Sequence, residues 1–104
     1  MIVVVDRNAT GAKVRLDAPD EFRAFHVEGV GGSDGLDEAL RAEGVGRLDG
    51  EHALVEIAAL RRLAGAAATP AWEGELKAMV DYAEGKGWVR DGALQAHVET
   101  RAVG

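Results

Sequence analysis

The chain has no cysteine and a single serine. The first absence excludes disulfides, thiolate nucleophiles and thiolate metal ligands together. The lone Ser33 follows Gly31-Gly32 and reads as a helix cap, without the G-x-S-x-G turn that would expose it as a nucleophile. No apolar run approaches the roughly 18 residues that cross a bilayer. The opening Met1-Ile2-Val3-Val4-Val5-Asp6 lacks a basic region, and its apolar stretch is too short for a secretory signal, so cytoplasmic residence without a membrane contact is expected. Positive charge is also scarce. Lys and Arg total 12 against 18 Asp and Glu, a net charge of −6. Such a surface repels phosphate backbones, which disfavours nucleic acid as a partner.

What remains is an ordinary globular composition, 47% apolar and 29% charged over 104 residues, the size of one domain. The excess of arginine over lysine, with abundant alanine, glycine and valine, reads as bacterial genome composition and carries no mechanism.

Residues 1–30 are rich in strand signals. Ile2–Val5 is an unbroken β-branched run, as in a strand covered on both faces. Asp6–Gly11 reads as a turn. Over 12–17, Ala12, Val14 and Leu16 alternate with Lys13, Arg15 and Asp17, which predicts a half-buried strand hairpinned on the first. Residues 22–30 form a third candidate, closed by Gly29, Gly31 and Gly32. A helix is expected over 33–43, with Ser33 as cap, Asp34, Asp37 and Glu38 in its first turn and Gly44 as its stop. Asp49-Gly50 marks a turn, 52–55 a short strand and 57–64 a short helix. The clearest helix spans 70–84. Thr69 caps it, Pro70 takes its first position, and Trp72, Leu76, Met79, Val80 and Ala83 recur at helical spacing. Trp88–Arg90, Asp91-Gly92 and Ala93–Arg101 read as a hairpin on the favoured two-residue loop. The expected fold is a single α+β domain over 1–104, an antiparallel sheet with three helices packed on one side.

The order of elements over 33–99 (helix, strand, helix, helix, hairpin), with Lys86-Gly87-Trp88-Val89 at the last junction, resembles the winged helix-turn-helix family. The resemblance implies a recognition helix at 70–84 and a wing at Arg90-Asp91-Gly92. That helix carries Glu73, Glu75, Lys77, Asp81 and Glu84, whereas major-groove insertion needs Arg, Lys, Asn or Gln. An acidic winged-helix-like regulator is therefore expected to contact protein.

One arrangement offers chemistry. His26-Val27-Glu28 and His97-Val98-Glu99 are the same triplet. On strands, each would turn its imidazole and carboxylate to one side. If the two strands are neighbours, His26, Glu28, His97 and Glu99 form one patch, suited to zinc, iron or manganese or to acid–base work. The competing reading places the valines in the core and the four polar groups in water. His52, with Glu56 four residues on, reads as a surface histidine at a strand–helix junction. The glycine-rich 29–32 lacks the lysine of a phosphate loop and is followed by acids. Trp72 and Trp88 read as core or interface anchors.

The expectation is a non-catalytic domain that binds a protein partner or forms a homodimer, with no cofactor. The alternative is an enzyme built on the two His-x-Glu strands.

Overall fold

The Ile2–Val5 run does form a doubly covered strand: Val3, Val4 and Val5 are all buried. The computed structural model describes residues 1–8 and 11–101. Its elements are β1 (Ile2–Asn8), β2 (Gly11–Asp17), β3 (His26–Val30), α1 (Leu36–Ala42), β4 (Gly46–Asp49), β5 (His52–Glu56), α2 (Ile57–Ala64), a 3-10 turn (Gly65–Ala67), α3 (Pro70–Gly85), β6 (Val89–Arg90) and β7 (Ala93–Arg101). The radius of gyration, 13.1 Å, is that of one compact domain of this length.

The seven strands make one sheet in the order β2-β1-β3-β7-β5-β4, with β6 also on β7. The sheet is mixed, which corrects the antiparallel expectation. β1 pairs with β2 antiparallel, but β3 returns along the other edge of β1 in parallel, and β7 runs parallel to β3. Hairpin signals identify antiparallel neighbours joined by a short turn. A parallel pair requires a crossover, and the residues between the strands carry no mark of which edge the chain rejoins.

One register of the strands supplies the core. Val3, Val5, Val27, Ala53, Val55, Leu94 and Ala96 cluster with Leu36 and Leu40 of α1, Leu60 of α2, and Trp72 and Leu76 of α3. Alternate strand residues point the other way. Val4 lies in that second set, between Arg15 of β2 and Glu28 of β3, and remains buried. Long neighbouring side chains can cover such a position with their aliphatic stems.

Several local expectations shift. Asp6 and Arg7 continue β1, while Ala9 and Thr10 of the expected turn lie outside the described residues. β3 begins at His26, because the segment before it folds back over the chain start: the Met1 amino group donates to the carbonyls of Glu21 and Ala24 at 2.7 and 2.8 Å. α1 begins at Leu36 after Gly35, whose φ of 76° places it in the left-handed region, so Ser33 is not the cap. Instead the Ser33 carbonyl accepts from the Leu36 amide at 3.1 Å. β4 is a strand with no counterpart in the sequence reading.

α3 forms as expected. The Thr69 hydroxyl accepts from the Trp72 amide at 3.2 Å, and Pro70 takes the first position. The final hairpin turns at Asp91 and Gly92, with φ of 51° and 80°, the two positive angles that a type I′ loop needs.

Candidate functional site

β3 and β7 are neighbours, and their triplets are in register: His26 faces His97, Val27 faces Val98 and Glu28 faces Glu99. Val27 is fully buried, and Val98 is partly buried against the same core. The four polar groups therefore share the opposite face. Two diagonal contacts cross between the strands. His26 Nε2 lies 2.9 Å from Glu99 Oε2, and Arg101 Nε donates to Glu28 Oε1 at 2.8 Å. Two glutamates set side by side would repel, and each has a cationic or hydrogen-bonding partner on the other strand. The arrangement ties β3 to β7 and leaves Glu99 and Arg101 exposed.

The third histidine joins the same line. β5 flanks β7 on its other side, antiparallel, with His52 opposite His97. Across the sheet, the positions in register are Asp17, Ile2, His26, His97, His52 and Asp49, one from each of six strands. All three histidines of the chain thus stand in one row. The sequence alone presents His52 as a surface histidine at a strand–helix junction. The buried alternation Ala53, Val55 marks His52 as outward-facing, but nothing in the sequence pairs β5 with β7.

Backbone bonding defines the His52–His97 pair further. The Gln95 amide donates to the Trp88 carbonyl on the β6 side of β7, and Arg101 accepts from Gly31 on the β3 side. Residues 95, 97, 99 and 101 hence direct their peptide groups away from β5. His52 and His97 are a non-hydrogen-bonded antiparallel pair, the kind whose Cα atoms approach to about 4.5 Å. The two side chains line a hollow of 300 Å³ together with Phe25, Trp88 and Gln95. Among the described residues, no three His, Cys, Asp or Glu side chains are grouped to hold one metal ion.

A second hollow adjoins the first through Phe25, Trp88 and Gln95. It has a volume of 250 Å³ and is also lined by Phe22, Arg23, Met79, Tyr82, Ala83 and Leu94. Four of the five aromatic residues of the chain meet here. The fifth, Trp72, is buried, with Nε1 donating to the Pro19 carbonyl at 2.9 Å and its ring 6.0 Å from that of Phe22. Tyr82 and Trp88 are 63% and 43% exposed, the large apolar side chains left most open among the described residues. Their rings meet edge to face at 6.2 Å, and Lys86 Nζ sits 5.5 Å from the Tyr82 centroid. Sequence periodicity cannot find this cleft, since its aromatics come from the 22–25 segment, the last turns of α3 and the start of the final hairpin.

Over 33–99 the elements run α1, β4, β5, α2, the 3-10 turn, α3, β6 and β7, so β4 interrupts the expected order of helix, strand, helix, helix and hairpin, and β7 joins this stretch to β1, β2 and β3 in one sheet. The exposed surface of α3 carries Glu75, Asp81 and Glu84 with Lys77. No helix among the described residues is long and apolar enough to cross a membrane. Comparison with protein-family models, with curated proteins and with solved structures finds no match for this chain.

Proposed function

We propose that the chain is a non-catalytic domain that associates with a second copy of itself through the cleft of Phe22, Phe25, Tyr82 and Trp88. The observation that carries this reading is the gathering of four of five aromatics in one place, two of them open to water. Tyr, Trp, Phe, Met and Arg are the residue types enriched at protein contacts, and Trp and Tyr dominate their energetics. Met79 and Arg23 complete that set here.

Two features favour a second copy as the occupant. A two-fold contact brings a surface against itself, so it needs both charge signs on one patch. Arg23 and Lys86 flank the aromatics, and Asp20, Glu21 and Glu75 lie beside Phe22 and Met79. The sheet edges, the usual competing route, are guarded. β2 exposes Lys13 and Arg15, and in β4 the Leu48 amide is already taken by Asp37 at 2.8 Å.

Size-exclusion chromatography with light scattering tests the proposal. The wild-type mass rises toward twice 10.9 kDa with concentration, and Tyr82→Ser combined with Trp88→Ser holds it at the monomer. A wild-type monomer at every accessible concentration overturns the reading, as does a dimer unaffected by the double substitution.

A further inference from the structure

We infer that His52 and His97 chelate a borderline divalent cation of the zinc, nickel and copper class, in the hollow they share with Trp88. Imidazole nitrogen suits these ions better than calcium or magnesium, which take oxygen. The pair occupies the closest type of cross-strand position in an antiparallel sheet, with both side chains on the same face and lining the same 300 Å³ hollow. Metal–nitrogen bonds near 2.0–2.1 Å require two nitrogens roughly 3 Å apart on one ion, within reach of side chains whose Cβ atoms stand about 4.5–5.5 Å apart.

The third histidine is not part of the chelate. His26 has its Nε2 engaged by Glu99 at 2.9 Å and lies on the far side of His97 from His52. No triad of ligating residues is assembled among the described residues, so water completes the coordination. Gln95 also lines the hollow. The net charge of −6 favours the approach of a cation. The site differs from one built on His26, Glu28, His97 and Glu99, where every member but His97 is tied in an ion pair, and it does not depend on self-association.

Trp88 lines the same hollow and reports its occupancy. Copper or nickel added to dilute wild-type protein quenches the Trp88 fluorescence saturably, and zinc competes the quenching away while raising the melting temperature by linkage. His52→Ala and His97→Ala each weaken apparent affinity by about tenfold or more, the loss of one ligand's worth of binding. His26→Ala and Glu28→Gln leave it within about twofold, since neither group meets the ion. Circular dichroism confirms that each variant is folded. Loss of binding in His26→Ala with retention in His52→Ala overturns the assignment, and so does the absence of saturable quenching and of any thermal shift with all three metals.

Discussion

Asp37 accepts from the Leu48 amide at 2.8 Å and from Arg41 Nε at 2.9 Å. The backbone donor first, and the arginine second, hold its carboxyl below the ordinary value of 3.8. The folded chain then keeps Asp37 ionised at acidities where the unfolded chain has protonated it. The stabilisation is complete above the unfolded value and disappears as pH falls through the folded one. Asp37→Ala should lower the neutral-pH urea midpoint and flatten its acid-side decline, while Asp37→Asn, which keeps an acceptor for Leu48, should lower it less. A series of urea titrations from neutral pH downward measures both. At the same scale, Leu76 is fully buried in α3, and Leu76→Ala should cost about 2–5 kcal/mol by equilibrium denaturation. Leu76 and Trp72 were legible as core because helical spacing selects them. Val27 was legible because strand alternation does. Asp37 was visible only as a first-turn acid, since its partner Leu48 belongs to a strand that no sequence pattern announces.

At the scale of the element, β4 shows why. Gly46-Arg47-Leu48-Asp49 has one large apolar residue between turn signals, too little for a pattern. It is a strand because β5 pairs with it and α1 supplies an acceptor to Leu48. Gly46 is obligatory there: a Cβ would run into the Leu54 carbonyl on β5. Backbone cannot yield as a flexible side chain can, so Gly46→Ala should destabilise by about 1–3 kcal/mol, read as a lower urea midpoint with an unchanged slope. The final hairpin is the opposite case. Asp91-Gly92 selects its own loop, and the alternation of Leu94, Ala96 and Val98 fixes which way His97 and Glu99 face, without knowledge of any neighbour. Orientation of the two triplets could thus be read from local rules. Their adjacency required the parallel β1–β3–β7 order, which local rules leave open.

For the whole molecule, the consequence of that order is convergence. It lines up His26, His97 and His52, and it sets β6 beside the start of β7 and β3 beside its end. Phe25, just before β3, and Trp88, just before β6, then flank the histidines on one side and join Tyr82 on the other. The surface proposed for association is therefore a product of topology, assembled from residues spread between positions 22 and 95. The measurement that tests it most directly is acrylamide quenching of tryptophan emission as a function of protein concentration. Trp72 is buried throughout and supplies the unquenched fraction, so the accessible fraction reports Trp88. If Trp88 lies at the contact between two copies, that fraction falls as concentration rises and is restored on dilution. An accessible fraction that stays constant from the most dilute to the most concentrated sample contradicts the account.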